Sequence, residues 1–251
     1  MKFKSKLSIL LLSSTLISGQ ALALEESELP YVPPISDQDP YESFNRVMFD
    51  FNMGFNDTVG KPIVNAYTGL IPLPARIGVS NFYDNLTVPL SAINSFLQGN
   101  LEDGFSNTMR FIINSTFGLF GLLDIATPGG LEHKREDLGQ TLYSWGLWSK
   151  TNYIVLPIVG SYTMRELVGS NVDSSYNPIY PHVIDTDLQG RIFMYMSGKF
   201  IDYTEIVKFI DDLKNQPDPY IFARESYIQH RTNLLYNGNV PQADLDDFDF
   251  D

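Results

Sequence analysis

The feature that most constrains the fold is the recurrence of large apolar residues at helical spacing. In the segment that begins at Asp39-Pro40, they recur at Phe44, Met48, Phe51 and Phe55, with Val47 beside them. Phe49 and Met53 fall outside that stripe, so the apolar face is unusually wide. Asp39 followed by Pro40 and Glu42 resembles a capping box, which predicts the start of a helix here.

Further elements are predicted along the chain. Helical spacing recurs over residues 102–117 and 195–215, and a helix from Asp218-Pro219 to about residue 236 is predicted to stop at Gly238. Residues 61–82 contain three prolines and predict a helix and a turn. Residues 139–160, rich in Gly, aromatic and β-branched residues, predict a hairpin or an extended loop. The fold class is therefore mainly α, in one domain covering 39–237.

The N-terminal segment has the layout of an export signal. A basic start precedes an apolar stretch at 7–17, and Ala21-Leu22-Ala23 supplies the small residues that a signal peptidase reads. Residues 1–23 are therefore predicted to be a removable secretory signal. The alternative is a permanent membrane helix, but the stretch is shorter than the about 20 apolar residues that a span needs. Residues 24–38, rich in Pro and acidic residues, are predicted to be a linker.

The charge balance excludes several partners. Without the three signal lysines, 14 basic residues stand against 30 acidic ones, a formal net charge of −16. This excess argues against nucleic acid and against electrostatic adhesion to anionic lipid. Five aspartates crowd the C-terminus, so residues 238–251 are predicted to be an acidic, disordered tail. The chain has no cysteine, which excludes disulfides, thiol catalysis and iron–sulfur clusters.

No motif for catalysis or for a cofactor occurs. His133 and His230 are predicted at the surface, and His182 follows Pro181 in a predicted loop. None has a metal-binding spacing such as H-E-x-x-H, and no nucleophile elbow, P-loop or dinucleotide motif is present. The sequence therefore predicts neither an enzyme nor a cofactor, although a carboxylate pair for hydrolysis stays open.

The wide apolar faces leave two interpretations open. They can form an ordinary core, or they can face a bilayer interface with the polar faces turned inward. The longest uncharged run of the mature chain, residues 85–101, contains Pro89 and several amides, so it is not predicted to span a membrane. A ring of amphipathic helices could pass an amphiphile through a polar-lined hole.

A series of longer motifs runs through residues 39–237. In chain order they are DPYESFNRVMFDFN at 39–52, PLPARIGVSNF at 72–82, NSFLQG at 94–99, RFIINST at 110–116, EDLGQTL at 136–142 with WG at 145–146, LPIVGS at 156–161 and DPYIFARESYIQHR at 218–231. Together they resemble the MlaA/VacJ family of outer-membrane phospholipid-removal lipoproteins.

The resemblance implies a function and an architecture. Members extract misplaced phospholipid from the outer leaflet of the outer membrane and pass it toward the periplasm, where a partner protein carries it onward. The implied fold is a single-domain ring of amphipathic helices with a central channel and a hairpin-like loop, embedded in the inner leaflet beside a trimeric porin. The alternatives are a soluble periplasmic lipid-binding or scaffold protein and a phospholipase.

The resemblance also implies candidate site residues. Residues 139–160 would be the hairpin that controls the channel mouth. Arg165 and Glu166 match an Arg-Asp pair of the family and would engage headgroups or gate the channel, with a surface ion pair as the alternative. Met53 stands where the family often has an aromatic residue. The channel or gating candidates are Asn52, Met53, Gly139, Gly146, Gly160, Arg165 and Glu166.

The signal segment departs from the family pattern. Members normally carry a lipobox whose cysteine is acylated, and here Gln20 stands in the position of that cysteine. Without a thiol no thioether lipid anchor can form, so cleavage is expected after Ala23. The expected location is the periplasmic side of the outer membrane, with the helix faces and a partner retaining the protein.

Overall fold

The computed structural model describes residues 39–175, 177 and 188–241, which fall within one compact unit. In chain order the elements are α1 (Glu42–Phe55), a π-helical segment (Asn56–Gly60), α2 (Lys61–Leu70), α3 (Leu73–Leu97), α4 (Leu101–Thr116), α5 (Leu138–Ser144), β1 (Tyr153–Leu156), β2 (Gly160–Thr163), α6 (Met164–Ser175), α7 (Leu188–Leu213) and α8 (Pro219–Leu235). The prediction of a mainly α class is confirmed. The signal, the linker, residues 242–251 of the predicted tail and His182 lie outside the described residues.

The predicted capping box at Asp39 is wrong. The N-cap residue of α1 is Tyr41, whose side chain makes no capping bond. Asp39 is buried instead: its carboxylate accepts from Asn45 Nδ2 at 2.8 Å, from Arg224 Nη1 at 3.0 Å and from the Tyr220 hydroxyl. A buried carboxylate is stable only with such donors, so Asp39 joins the start of α1 to α8.

The predicted hairpin begins too early at residue 139. β1 and β2 pair antiparallel, with Tyr153 opposite Thr163 and Leu156 opposite Gly160. The first part of the predicted stretch is helix α5, because the Asp137 side chain caps it by accepting from the Gln140 amide at 2.9 Å. The hairpin therefore occupies residues 153–163.

Two long helices extend beyond their predicted limits. The helix and turn predicted over residues 61–82 are α2, a turn and the first part of α3, which continues through Pro89. α7 begins seven residues before the predicted start of the 195–215 helix. Neither helix is a membrane span: no helix in the described part of the chain is long and apolar enough for that.

The apolar core is small and lies where α1, the hairpin and α8 meet. The Phe49 and Tyr153 rings pack edge-on against the Tyr220 ring, at centroid distances of 5.7 and 6.4 Å. Tyr153 is fully buried, and this burial raises its pKa to about 12. The core consists of Phe49, Tyr153, Val155, Leu213, Tyr220 and Ile228. It fixes the first strand of the hairpin against the two helices.

Candidate functional site

Asparagine side chains on α1 bind the backbone of the hairpin. Each uses its amide group to pair with one backbone carbonyl and one backbone N–H, as a neighbouring β-strand would. Asn45, fully buried, donates from Nδ2 to the Tyr153 carbonyl at 3.2 Å and accepts from the Val155 amide at 2.9 Å. Asn52 lies seven residues further along, on the same face of the helix two turns later. One helix face therefore presents two amide groups to the backbone of β1.

Asn52 holds the turn of the hairpin. Its Nδ2 donates to the Leu156 carbonyl at 2.9 Å, and its Oδ1 accepts from the Ile158 amide at 2.6 Å. Ile158 has a φ of 68°, which is strained for a β-branched residue, and Gly160 follows with a φ of 97°. The structure thus brings together the candidates Asn52 and Gly160, whereas Met53 packs against the apolar core.

Arg165 and Glu166 do not pair with each other. Arg165 is 2% exposed, donates to the carbonyls of Trp148 and Ser149, and stacks over the Tyr143 ring at 4.9 Å. Burial lowers its pKa to about 10. Both residues begin α6 directly after the hairpin, so the buried guanidinium fastens the segment that precedes β1.

Glu166 belongs to a second buried cluster that the sequence did not reveal. Its carboxylate accepts from the Tyr227 hydroxyl and lies 3.5 Å from Arg231 Nη1. The same Arg231 atom donates to Asp137 Oδ2 at 2.7 Å. Burial raises the pKa of Glu166. Arg231 therefore links α8 to two other helices. It binds the N-cap residue of α5, Asp137, which lies 94 residues earlier, and it lies beside Glu166 in the first turn of α6.

Of the remaining glycine candidates, Gly139 lies beside this cluster and Gly146 ends a turn. A Cβ on Gly139 would stand 3.1 Å from the Glu166 Cα, and one on Gly169 would stand 2.5 Å from the Gly139 nitrogen. α5 and α6 can therefore approach closely only without these side chains. Gly146, with a φ of 70°, ends the turn after α5, and nothing lies near the position of its Cβ.

Glu136 is the most perturbed carboxyl near these elements. Its Oε2 accepts from Gln98 Nε2 at 2.8 Å and from Gln140 Nε2 at 2.5 Å. Burial raises its pKa to about 7, and the neighbouring Asp137 adds to that rise. The EDLGQTL motif therefore places a carboxyl that titrates near neutral pH beside the Arg231 cluster.

The polarity of α4 is inverted relative to a soluble helix. Its buried positions are Gly104, Asn107, Arg110 and Asn114. Its large apolar residues are exposed, at 59% for Leu101, 63% for Phe105, 48% for Met109 and 48% for Ile112. α1 repeats the pattern in part: Asn45 is buried and Phe44, Val47 and Phe51 are exposed, but Phe49 belongs to the core and Met48 packs against it. The large apolar residues of α4 and about half of those of α1 therefore point outward.

The loop after α4 is tied to the buried polar face of that helix. Asn114 Oδ1 accepts from the amides of Ile125 and Ala126, both at 2.9 Å, and Arg110 donates to Asp124 Oδ2 at 2.8 Å. Burial alone would raise the pKa of Asp124, but the hydrogen bonds that its carboxylate accepts have the larger effect and lower the pKa to about 2. The loop between these anchors exposes further large apolar side chains, namely Phe117, Leu119, Phe120, Leu122 and Leu123.

The prediction that His133 lies at the surface is wrong, while His230 is exposed as expected. His133 Nδ1 lies 3.0 Å from Asp84 Oδ2, and its Nε2 lies 3.2 Å from Ser91 Oγ. These are distances of a Ser-His-Asp triad. Ser91 is 4% exposed, however, in the middle of α3, and its Oγ also accepts from the Glu136 amide at 3.3 Å. The cluster braces α3 against the segment before α5.

In the described ranges, no group of three or more His, Asp or Glu side chains could hold a metal ion.

Comparison with known proteins gives consistent matches. The family model described as MlaA lipoprotein matches residues 37–234. The intermembrane phospholipid transport system lipoprotein MlaA of Escherichia coli K12 is 32% identical over 244 residues, covering 94% of this chain and 90% of that protein. Its counterpart of Haemophilus influenzae is 31% identical, with 82% of each chain covered, and an uncharacterized protein of Rickettsia typhi is 34% identical over 198 residues, covering 77% and 76%.

A solved structure gives the same result. It was reported as a structural basis for maintenance of bacterial outer membrane lipid asymmetry. The similarity has a TM-score of 0.67 at 32% identity, over 78% of this chain and 98% of that chain. Fold and sequence therefore agree on one family.

Proposed function

The chain belongs to the MlaA lipoprotein family, and from that premise we propose that it removes mislocalised phospholipid from the outer leaflet of the bacterial outer membrane. The lipid passes toward the periplasm, and lipid asymmetry is maintained. The relatives named as intermembrane phospholipid transport lipoproteins support this proposal.

The single observation that carries the proposal is the inverted polarity of α1 and α4. Phe105 is 63% exposed while Asn107, two residues later, is fully buried. A contiguous exposed apolar surface of this kind is unfavourable in water and typical of a membrane interface. We interpret the outward stripes as lipid-facing and the inward amides as the bonds that hold the polar interior together.

The loop at 117–123 offers a means of retention in a chain without cysteine. Leu119 and Phe120 have positive φ values of 54° and 60°, and they are 60% and 79% exposed. Such strain persists only where the surrounding structure enforces it, and here it presents both side chains outward. Inserted into acyl chains, they would hold the protein at the periplasmic side of the outer membrane.

The hairpin and its supports are the proposed gate of the path. Asn52 and Gly160 set the turn, and Met53 supports the core beneath it. The other proposed gating residues, which hold the segments on either side of the hairpin, are Gly139, Gly146, Arg165 and Glu166. A trimeric porin and a periplasmic lipid-carrier protein are the proposed partners, and a central channel within a helical ring is the proposed path.

The test measures phospholipid on the surface of intact cells. A strain lacking the chain is complemented with the wild type or with Phe105→Asp, and surface phosphatidylethanolamine is labelled by an impermeant amine reagent. We expect the wild type to lower the labelling and Phe105→Asp to fail, while Glu132→Ala, at an exposed charge, acts like the wild type. Equal labelling with and without the chain would refute the transport role.

Fractionation and lipid analysis separate the alternatives. A soluble periplasmic protein would leave membranes in a carbonate wash, whereas we expect the wild type to stay and the double variant Leu119→Ser, Phe120→Ser to be released. A phospholipase would produce lysophospholipid or fatty acid, and Ser91→Ala would abolish that product. We propose that the chain is no enzyme, because the Ser91 hydroxyl is buried and already hydrogen-bonded.

A further inference from the structure

Two cavities lie in the cleft between α2, the first half of α3 and α7. The first, called the polar cavity, has a volume of about 460 Å³ and a mixed lining, in which Val64 and Val207 accompany polar and charged residues that include Lys61, Arg76, Glu205, Lys208 and Asp211. The second has a volume of about 330 Å³ and a largely apolar lining that includes Tyr67, Val79, Phe193, Phe200 and Ile201. Both cavities are lined by the same three helices. The cleft therefore has a polar part and an apolar part.

The lining residues follow one another along each helix. Tyr67 of the apolar cavity precedes Thr68 of the polar cavity, and Ile201 precedes Thr204 by one turn. On α3, Arg76 and Val79 are likewise one turn apart. The polar and apolar cavities are therefore neighbours along the same three helices.

The charges of the polar cavity are unevenly paired. Lys61 Nζ lies 2.6 Å from Asp211 Oδ2, and Ser80 Oγ donates to Glu205 Oε1 at 2.5 Å. Arg76 donates only from Nε, to the Ile71 carbonyl at 3.1 Å. Within the described residues, neither its terminal nitrogens nor Lys208 has an ion-pair partner. Two cations are thus available to an anion, with carboxylates nearby for an amine.

One lining residue of the apolar cavity, Tyr67, carries a buried hydroxyl without a hydrogen-bond partner. The Tyr67 ring contacts Phe200 edge-on at 5.4 Å. A buried polar atom without a partner is uncommon and calls for an explanation such as an unseen ligand. An ester or phosphate oxygen of a lipid that reached this atom would supply the missing bond.

We propose that this cleft seats one phospholipid molecule, with its phosphate at Arg76 and Lys208, an amine of the headgroup near Glu205, and the start of an acyl chain in the Tyr67 cavity. The proposal rests on the function proposed above and names where a lipid pauses. The chemistry fits a zwitterionic headgroup, because the cavity presents both signs of charge. Free phosphate shares the anionic part of this chemistry but not the chain.

Binding to the purified mature chain in nonionic detergent tests the cleft. Calorimetry with dihexanoyl phosphatidylethanolamine below its micellar concentration is compared with inorganic phosphate and with a short-chain diacylglycerol. We expect the phospholipid to bind most tightly. Arg76→Gln and Lys208→Gln should each weaken it about tenfold, as the loss of a charged hydrogen bond does. Lys134→Gln, an exposed cation elsewhere, should bind like the wild type.

Tyr67→Phe gives a readout that a folding defect cannot imitate. It removes a buried unpaired hydroxyl, so the ligand-free protein should melt at a higher temperature. The same change should weaken phospholipid binding about threefold, because the bond to the lipid is lost. Unchanged affinity in Arg76→Gln, Lys208→Gln and Tyr67→Phe would overturn the proposal. Inorganic phosphate bound as tightly as the phospholipid would overturn it too, in favour of a simple anion site.

Cell-surface labelling separates this proposal from the transport function. If labelling is independent of the wild-type chain while the cleft binds phospholipid as expected, the transport role fails and the lipid seat stands. If the chain lowers labelling and the cleft variants both bind and transport as the wild type does, the seat fails and the transport role stands.

Discussion

The hairpin turn should depend on a single amide group. Asn52→Ala removes the bonds from Nδ2 to the Leu156 carbonyl and from the Ile158 amide to Oδ1, of 2.9 and 2.6 Å. At about 1 kcal/mol of net stabilisation for each bond, the change should cost about 2 kcal/mol. This cost falls on the turn alone, since the core contacts of Tyr153 and Val155 remain. The equilibrium constant for local opening should rise about 30-fold.

Amide hydrogen exchange measures this opening directly. We expect exchange at Ile158 to accelerate at least about 30-fold in Asn52→Ala, because the substitution also removes the acceptor of this amide, while Val155, still bonded to Asn45, keeps its protection. Asp50→Ala, at an exposed position of the same helix, is the matched control and should leave both amides unchanged. Exchange at Ile158 as slow as in the wild type would refute the reasoning, because the turn would then be held by something other than Asn52.

Three further substitutions test the buried polar groups. Arg231→Gln removes the buried cation shared by two partly buried carboxylates, so the free energy of unfolding in urea should fall by about 2–3 kcal/mol, as the loss of hydrogen bonds to charged groups does; a loss under about 1 kcal/mol would contradict this. Folding raises the pKa of Glu136 to about 7. The protonated carboxyl therefore stabilises the fold at a pH below the ordinary pKa of Glu, and this stabilisation is lost as the pH rises through 7. Glu136→Gln should therefore melt higher than the wild type at pH 8, an advantage absent at pH 4. Asn114→Ala leaves two backbone amides unpaired and should lower unfolding free energy by about 2–3 kcal/mol, whereas Asn65→Ala at an exposed site should not.

Two identical tripeptides show what the sequence can and cannot predict. Asp-Pro-Tyr occurs at 39–41 and at 218–220, and a helix start was predicted at both. Asp218 does cap α8, accepting from the amides of Tyr220 and Ile221 at 3.1 Å. Asp39 does not cap α1, because Arg224 and Tyr220 occupy its carboxylate. A capping pattern is read from about four neighbouring residues. The groups that compete for the Asp39 carboxylate lie 181 and 185 residues away.

The direction of the apolar faces was equally out of reach. Periodicity identifies which residues share a face of α4, and those residues do share one. It does not identify the medium that the face meets, because lipid and protein core are both apolar. The available signal was the opposite face, where Gly104, Asn107 and Asn114 accompany a single charged residue, Arg110, in place of the several charged residues of a soluble helix.

The candidate residues divide for a similar reason. Asn52 and Gly160 meet at the hairpin turn because both belong to segments that the sequence marks clearly. Arg165 and Glu166, adjacent in sequence, have different partners, since successive residues of a helix point in different directions. Arg231 could not be inferred, because its carboxylate partners precede it by at least one whole helix. The channel and gating roles of these residues stay predictions.

The buried asparagines explain how such an inverted protein can hold one structure. Where apolar side chains face lipid, burial in a core is no better for them than exposure, so the hydrophobic effect cannot select the inward face. Directional bonds must do so. Asn45, Asn52 and Asn107 each bind one backbone carbonyl and one backbone amide of a non-helical segment, and Asn114 binds two backbone amides. These bonds fix the inward faces of α1 and α4 and leave the outward apolar side chains free to meet lipid, so the fold and the proposed function depend on the same asparagines.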